Sequence, residues 1–444
     1  MNWIPNILFA FVLIFGIVFF VKNVKKLIRN IKLGRSIDRT DNRAARWNNM
    51  IRIALGQGKM VVRPVAGIMH IIVYVGFVII NIEVLEIIID GLLGTHRVFA
   101  FLGNGYDFLI GSFEVLALLV IIAVFVFWVR RNIIKLKRFW NPEMKGWPKK
   151  DANYILYIEA VLMCLFLTMN AADFQLQQLD AEHYTQAGAF PVSQILSPVF
   201  SDLPASTLIV IERTAWWLHI VGILFFLNYL YYSKHLHILL AFPNTWYANL
   251  QPKGKLDNLE AVTNEVKLML DPNADPFAAP TANEHEGTEP EKFGASDVSD
   301  LNWVQLLNAY TCTECGRCTS ECPANQTGKL LSPRKIMMDT RDRLEEVGKN
   351  IDANGGEFKD DGNQLLDNYI TREELWACTS CNACVEACPV NINPLSIIID
   401  MRRYLVMEQS AAPAELNNMM GNIENNGAPW PYNQMDRLNW KDEA

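Results

Sequence analysis

The first half of the chain alternates long apolar stretches with short polar loops. The mainly apolar stretches occur at about residues 3–20, 65–89, 108–129, 153–172 and 207–232. Each is close to the ~20 residues that an α-helix needs to cross the hydrocarbon core of a bilayer. The pattern therefore predicts a domain of five transmembrane helices over residues 1–240.

The second half of the chain is more polar and divides into three parts. Residues 241–300 are rich in Pro, Asn and acidic residues and cannot bury enough apolar surface to fold alone. We expect this part to be a linker in which His285 is solvated. Residues 301–410 are predicted to form a second domain, and residues 411–444 a C-terminal tail.

Helix signals dominate the predicted second domain, and no alternating strand pattern occurs in it. Ser332 precedes Pro333, which places proline at the first position of a capped helix. Thr371 and Glu374 form the sequence signature of a capping box. The chain is therefore predicted to be all-α, with a transmembrane bundle followed by a helical domain.

Composition and charge fit a membrane protein and give its orientation. Of the 444 residues, 51% are hydrophobic, and the mean hydropathy is +0.10. Residues 21–64 carry twelve Lys and Arg and residues 130–152 carry eight, whereas residues 90–107 carry only Arg97 and residues 173–206 none. Basic loops stay on the cytoplasmic side, so we expect an outer N-terminus, a cytoplasmic second domain and a location in the cytoplasmic membrane. The first apolar stretch has basic residues after it rather than before it, so we expect a retained helix, not a signal peptide.

Eight of the nine cysteines form two runs with the same spacing, C-x2-C-x2-C-x3-C-P. This spacing is typical of proteins with two [4Fe–4S] clusters, in which the fourth cysteine of each run binds the other cluster. The expected ligands are Cys312, Cys315, Cys318 and Cys388 for cluster 1, and Cys378, Cys381, Cys384 and Cys322 for cluster 2. Zinc sites or disulfides are the alternatives, but neither requires a repeated Cys-Pro run. Cys164, in the fourth apolar stretch, is expected to be a small buried residue.

Histidines in and next to the apolar stretches suggest haem. His70 lies early in the second stretch, His219 lies inside the fifth, and His235 and His237 follow it. If one helix continues to residue 237, His219 and His237 share a face about 27 Å apart, and His235 points to roughly the opposite side. Two histidines so far apart cannot bind one metal, but they can each bind a different haem.

We expect a haem b near the inner boundary, held by His70 with His237 or, alternatively, with His235. A second, deeper haem at His219 would need another ligand, for which His96 in an outer loop is the candidate. Whether one or two haems bind stays open. The alternative is that these histidines only hydrogen-bond to the backbone or to lipid. His183 is expected to be a surface residue.

Acidic residues lie toward the outer ends of the predicted helices, and they are candidates for a quinone site. A quinone takes up a proton with each electron, so a carboxylate close to it is chemically suitable. The acidic candidates are Glu83, Glu86 and Glu114. The basic residue Arg213 is the fourth candidate. Structural ion pairs are the alternative for all of them.

A resemblance to a known family covers about residues 60–440. The segments Arg213-Thr-Ala-Trp-Trp-Leu-His219 and Ser233-Lys-His-Leu-His237 resemble the nitrate-reductase-gamma type of membrane cytochrome b. The version they resemble is fused to iron–sulfur domains, as in heterodisulfide-reductase-like proteins and electron transfer flavoprotein:quinone oxidoreductases. The resemblance implies a five-helix cytochrome b bundle followed by a cytoplasmic dicluster ferredoxin domain.

Two departures from that family are visible. Such cytochromes can use the position ten residues after His70 for the deeper haem, and here it is Ile80. The tail from Asn422 to Trp440 resembles the segment that leads into a domain with two CCG cysteine motifs, but no CCG motif occurs in the sequence. We expect a separate CCG-type iron–sulfur subunit to supply that domain.

These observations predict a quinone-linked oxidoreductase subunit of a respiratory chain that is active only with a partner. Electrons would pass between a soluble donor or partner subunit, for which an electron transfer flavoprotein is a candidate, and the membrane quinone. The alternatives are a heterodisulfide or dithiol reductase subunit and a structural subunit of a larger membrane complex. The sequence has no P-loop, dinucleotide-binding motif or catalytic triad, and we expect no nucleic acid partner.

Overall fold

The computed structural model describes residues 3–272 and 292–442. Residues 273–291 of the predicted linker, which include His285, lie outside the described residues. In the rest of that predicted linker, one helix ends at Trp246 and another covers Glu260–Leu270.

The N-terminal half consists of long helices joined by short ones. The helices are α1 (Ile4–Ile31), α2 (Arg43–Met50), α3 (Pro64–Leu93), α4 (Asn104–Asn132), α5 (Trp147–Gln178), α6 (Ser193–Leu196), α7 (Ala205–Tyr229), α8 (His237–Trp246) and α9 (Glu260–Leu270). Five of them, α1, α3, α4, α5 and α7, are long and apolar enough to cross a membrane. The predicted number of spanning helices is confirmed.

The five long helices pack side by side, with α5 between α4 and α7, and with α1 against α3 and α7. Their shared core contains Phe9, Ile110, Phe113, Phe166 and Ile220. Large apolar side chains on the outer surface of the bundle are exposed, as lipid contact requires. Cys164 is one of the exposed residues, so the expectation that it is buried was wrong.

The C-terminal half is built from shorter helices. These are α10 (Trp303–Thr311), α11 (Arg317–Glu321), α12 (Pro323–Gln326), α13 (Pro333–Ala353), the turn α14 (Leu365–Asn368), α15 (Arg372–Trp376), α16 (Ala383–Ala387), α17 (Pro394–Met407) and α18 (Ala414–Asn426), and a 3-10 helix follows at Gln434–Lys441. The predicted helix starts are confirmed. The side chain of Ser332 caps α13, and Thr371 and Glu374 form a capping box on α15. Within the described ranges, β pairing is limited to isolated bridges, so the all-α fold class is confirmed.

The fifth spanning helix does not continue to residue 237. α7 ends at Tyr229, two 3-10 turns follow, and α8 begins at His237. The backbone is extended at Ser233, and Asp151 of α5 accepts a hydrogen bond from the Lys234 amide at 3.1 Å. The expectation that His219 and His237 share a face of one continuous helix was therefore wrong.

The C-terminal half docks on one end of the bundle, where both basic loops lie. Arg317 donates to the carbonyl oxygen of Lys59 at 2.9 Å, in the first basic loop. Arg334 donates to the carbonyl oxygen of Arg138 at 2.6 Å, in the second. The cysteine-bearing half and the basic loops thus share one side of the bundle. We call the end of the bundle that carries the basic loops the inner end, and the opposite end the outer end.

The first helix takes part in this docking. α1 extends beyond the predicted apolar stretch, and Asn30 near its end donates to the hydroxyl of Tyr310 at 2.9 Å. Lys26 and Arg29 form ion pairs with Asp352 of α13. The helix is therefore both a membrane span and a support for the second half of the chain.

Candidate redox centres

The two cysteine runs have the same backbone conformation. Positive φ angles occur two and four residues after the first cysteine of each run: Glu314 (54°) and Gly316 (70°), then Ser380 (55°) and Asn382 (60°). A short helix follows each time, α11 in the first run and α16 in the second. α11 and α16 also pack against each other. The sequence repeat is thus a structural repeat with the two runs face to face.

The fourth cysteine of each run lies near the first three of the other run. Burial raises the pKa of Cys312 to about 12, and the neighbouring Cys388 contributes to the increase. Burial also raises the pKa of Cys384 to about 12, with contributions from Cys378 and Cys322. Such thiols are protonated at neutral pH unless a metal takes the place of the proton. The pattern of neighbours is the crossed one that the spacing predicts.

The cysteine sulfur atoms do not converge on one point. Within residues 3–272 and 292–442, no three Cys, His, Asp or Glu side chains converge tightly enough to hold one metal ion. In a cubane each cysteine binds a different iron atom, so the four sulfur atoms surround a larger volume. Backbone amides also point at the sulfur atoms, with Ile392 N 3.3 Å from Cys388 Sγ and Ser380 N 3.4 Å from Cys378 Sγ. These donors suit cluster-bound thiolates.

His70, His235 and His237 come together at the inner end of the bundle. The ring centroids of His70 and His237 are 6.4 Å apart, and those of His235 and His237 are 5.6 Å apart. His235 is therefore beside His237, not on the opposite side as expected. Two imidazoles on opposite sides of one iron have centroids about 6.3 Å apart, since each metal–nitrogen bond is about 2.0 Å. The spacing of His70 and His237 fits such a pair.

The ring nitrogens distinguish these histidines. His237 Nδ1 lies 2.9 Å from the carbonyl oxygen of Lys234, so Nδ1 carries the hydrogen and Nε2 keeps its lone pair. A backbone acceptor of this kind is typical of metal-binding histidine. Burial lowers the pKa of His237, which favours the neutral ring that a metal needs. Among the described residues, Nδ1 of His70 and Nδ1 of His235 are both buried without a hydrogen-bond partner, and what sets His235 apart is that its Nε2 faces Glu159 at 3.7 Å.

The two candidate ligands of a second, deeper haem differ in their hydrogen bonds. His219 Nδ1 lies 3.0 Å from the carbonyl oxygen of Leu162, which leaves Nε2 free. The other candidate ligand, His96, uses both ring nitrogens: Nε2 faces Asp173 at 3.3 Å, and Nδ1 accepts from the Thr185 amide at 3.3 Å. Ile80 is packed in the bundle core. Only one of the two ligands that a deeper haem needs is therefore free.

A cavity of about 580 Å³ lies at the opposite, outer end of the bundle. Its walls include three of the predicted quinone-site residues, Glu83, Glu86 and Arg213, together with apolar surfaces from Phe9 and Trp216. The volume is in the range of small-molecule sites. Glu83 is buried, and its Oε2 atom has no hydrogen-bond partner among the described residues. It is the one candidate with an unpaired polar atom.

Glu114, the fourth candidate, does not line the cavity. Its carboxylate accepts hydrogen bonds from Asn170 Nδ2 at 3.1 Å and from the amides of Val192 and Ser193 at 2.9 and 3.1 Å. These bonds hold the outer loop against α4 and α5. Glu114 therefore has a structural role in this arrangement.

Arg97 is a buried residue of the cavity wall that sequence reasoning did not select. It donates to Asp173 at 2.6 Å, to Asn170 at 3.0 Å and to the Tyr106 hydroxyl at 3.1 Å. Burial alone would lower the pKa of Arg97, but Asp173 and Tyr106 raise it above its ordinary value. The Tyr106 hydroxyl donates to Glu86 at 2.8 Å, so a hydrogen-bonded network links Glu86 to Asp173. The sequence signal was that Arg97 is the single basic residue of its loop.

Comparisons with known proteins support the iron–sulfur assignment. The 4Fe-4S dicluster domain family matches residues 311–392, which contain both cysteine runs. The chain is 30% identical to the probable iron-sulfur-binding oxidoreductase FadF of Bacillus subtilis, over 99% of this chain and 61% of the relative. It is 26% identical to an EtfAB:quinone oxidoreductase of Syntrophomonas wolfei, over 92% of this chain and 55% of the relative.

A third relative is shorter in its match. A probable membrane-anchored ferredoxin of Chromohalobacter salexigens is 33% identical over 33% of this chain and 24% of the relative. No solved structure matches. The chain spans 61% and 55% of the lengths of the first two relatives. Together these relatives support a membrane-anchored iron–sulfur subunit that works in electron transfer or as an oxidoreductase.

Proposed function

We propose that this chain carries electrons between a soluble donor or partner subunit and the membrane quinone, through two [4Fe–4S] clusters and haem b. The observation that carries the proposal is the contact between Lys234 and Glu314. In the sequence, Lys234 directly precedes His235, and Glu314 lies between Cys312 and Cys315. Two sets of redox ligands thus adjoin each other across one ion pair.

His70 and His237 are the proposed haem ligands, with His235 as a neighbour that does not bind the iron. When bound, the haem would supply one-electron chemistry, which matches the one-electron clusters. His237 is oriented by its bond to the Lys234 carbonyl, and Lys234 is itself fixed by Asp151 and Glu314. Lys234 therefore contacts the cysteine loop through its side chain and orients His237 through its main-chain carbonyl.

The outer cavity is the proposed quinone site. Apolar walls suit a quinone ring and its isoprenoid tail, and the unpaired Oε2 of Glu83 can hold or release a proton at the carbonyl oxygen of the quinone. Arg213 forms an ion pair with Glu212 at the same cavity and can shield the charge there. Glu86 is held by Tyr106 and by the Phe99 amide, so it has less freedom to exchange a proton.

A partner is part of the proposal. The relative from S. wolfei is named an EtfAB:quinone oxidoreductase, which favours an electron transfer flavoprotein as donor and a quinone as acceptor. We further propose that a CCG-type iron–sulfur subunit joins the donor to the clusters, and that the cysteine half faces the cytoplasm.

The test measures the rate of quinone reduction by the complex purified in mild detergent. Glu83→Gln keeps the shape of the side chain but removes its exchangeable proton, so quinone reduction should fall about 100-fold. Haem and iron contents should not change. Asp202→Asn, a similar change at an exposed outer position, is the control and should keep full activity. Unchanged activity in Glu83→Gln would remove the cavity from the mechanism, and turnover of a dithiol instead of quinone would favour the reductase alternative.

A further inference from the structure

Cationic side chains collect around the first cysteine run. A β-carbon on Gly316 would lie 3.3 Å from the β-carbon of Arg138, so the second basic loop touches the cysteine loop directly. Arg317, between Cys315 and Cys318, reaches the first basic loop through its bond to the Lys59 carbonyl. Lys59 Nζ lies 3.2 Å from the carbonyl oxygen of Glu386, two residues before Cys388. We call Lys59, Arg138 and Arg317 the cationic collar.

The collar lacks paired carboxylates. Arg317 binds the main-chain oxygen atoms of Lys59 and Met60, and Arg138 Nε has no hydrogen-bond partner. In the described part of the chain, none of the three collar residues forms an ion pair within 4.0 Å, the limit for such a pair. Partly buried cations without counterions are costly unless another negative charge is nearby. A cubane bound by four thiolates carries such a charge, so the site fits the group.

The cations at the second cysteine run are arranged differently. Arg402 donates to the carbonyl oxygens of Cys378 and Leu375. Lys253 forms an exposed ion pair with Glu386, so a carboxylate offsets its charge. Cys381 is exposed, so this run faces solvent, whereas the first run faces the basic loops. The two similar loops thus have different electrostatic surroundings.

We propose that the cationic collar raises the reduction potential of cluster 1 above that of cluster 2. Reduction adds one negative charge to a cluster, and a nearby fixed positive charge favours that form. When cluster 2 gives one electron to cluster 1, no proton or bond needs to move. The collar therefore makes transfer toward the membrane histidines downhill. This inference rests on the crossed ligand sets, but it needs neither the haem nor the quinone site of the proposed function.

One effect opposes the collar. Water at Cys381 also stabilises the reduced form of cluster 2. Water screens by reorienting, whereas the collar charges are held in place by Phe139, which stacks on Arg138 at 4.8 Å, and by backbone acceptors. We infer that three fixed charges close to cluster 1 outweigh the solvent at one cysteine of cluster 2.

Arg138→Gln is the cleanest test, because the Arg138 side chain makes no hydrogen bond that the substitution would break. The full chain with its partners is titrated with redox mediators, and both clusters are followed by electron paramagnetic resonance. The titration should show two reduction steps, of which the step at higher potential belongs to cluster 1. In Arg138→Gln this step should move to lower potential. The ratio of reduced to oxidised cluster 1 should fall about tenfold at a fixed potential, which is about 59 mV for one electron. The lower step should stay where it is.

Three matched variants separate the effect of the positive charge from the effect of side-chain shape and position. Arg138→Lys keeps the charge and should keep both potentials. Arg402→Gln should lower only the lower step. Lys349→Gln removes the same charge at an exposed helix position and should change neither step. The proposal is overturned if Arg138→Gln leaves the higher step unchanged, if it moves the lower step, or if Arg138→Lys shifts the potential equally. Loss of haem or of quinone activity alone would count against the proposed function, not against the collar.

Discussion

At the scale of single residues, the inner histidines differ in which ring nitrogens remain available. His70 and His237 have the spacing of two axial ligands, and Nε2 of His237 is left free by the backbone bond at Nδ1. His235 lies equally near, but its Nε2 faces Glu159. The spacing alone would allow His235 to take part, so the proposed pairing of His70 with His237 rests on the contact between His235 Nε2 and Glu159.

The first prediction follows from that assignment. His70→Ala should abolish the low-spin haem spectrum, because an axial ligand is lost and His235 is already engaged. A pyridine haemochrome count and the visible spectrum of the purified protein measure this. His235→Ala is the matched control and should keep a low-spin haem. If His70→Ala kept the spectrum and His235→Ala lost it, the ligand pair would be His235 and His237.

Glu314 gives a second residue-level prediction. Burial would raise its pKa, but Lys234 and Arg341 hold it at about 2. A lowered pKa stabilises the fold above the ordinary value near 4.5, and this contribution is lost as the pH falls from there toward 2. At neutral pH, Glu314→Gln leaves Lys234 with Asp151 as its remaining acidic partner and removes the carboxylate that Arg341 contacts, so it should cost about 3 kcal/mol.

The measurement is the temperature at which the cluster absorbance is lost in detergent. Glu314→Gln should lower that temperature at pH 7, and it should flatten the acid dependence that wild type shows below pH 4.5. Glu424→Gln, at an exposed tail position, should do neither. An unchanged temperature in Glu314→Gln would mean that the ion pair does not hold the two halves together.

Residues whose chemistry depends on local spacing could be predicted, and residues that depend on distant partners could not. The cysteines were assigned from eleven-residue runs, and the structure brings the two runs together. The burial of Arg97 depends on Asp173, 76 residues away, and its position as the single basic residue of its loop does not identify that partner. In the sequence, Arg138 is one of several basic residues in a loop. Its contact with the cysteine loop is visible only in the structure.

At the scale of elements, the same distinction explains the broken fifth helix. The caps at Ser332 and Thr371 are local signals, and both predictions are confirmed. The apolar pattern of α7 runs on to Tyr232, and no Gly or Pro marks its end. The break is held from outside by Asp151 of α5, which binds both the Lys234 amide and the Tyr229 hydroxyl.

The paired cysteine loops give the third prediction. Cys322→Ser should perturb cluster 2, because Cys322 lies near Cys378 and Cys384 in the structure. Electron paramagnetic resonance of the reduced protein should show loss or conversion of that signal, while cluster 1 keeps its own. Cys388→Ser should show the reverse pattern. If Cys322→Ser removed only the cluster of residues 312–318, the crossed assignment would be wrong.

At the scale of the whole molecule, the C-terminal tail is the part with the least packing. Trp430 is 59% exposed, Tyr432 66% and Trp440 71%, and α18 has no buried residue. Large aromatic residues that stand out from a surface are typical anchors of protein interfaces. We therefore expect the tail to dock on the proposed iron–sulfur subunit.

The fourth prediction tests that docking. Deleting residues 422–444 should release the partner, because most of the exposed aromatic anchors leave with the segment. Haem and cluster contents of the remaining chain should stay at wild-type levels. Co-purification from mild detergent measures the first effect, and metal analysis measures the second. Trp430→Ala should weaken the complex in the same direction, and a complex that survives the deletion with full activity would rule out the tail as the docking element.

The contact between Asn30 and Tyr310 also bears on the order of events during synthesis of the chain. The two residues are 280 positions apart. At a synthesis rate of about 5–20 residues per second, α1 waits roughly 15–60 s for the partner that its inner end will contact. During that interval Lys26 and Arg29 lack Asp352, the acidic residue with which they pair in the folded chain. The basic end of α1 therefore has two successive roles during biogenesis, first as a topological anchor and later as a platform on which the cluster region completes its folding.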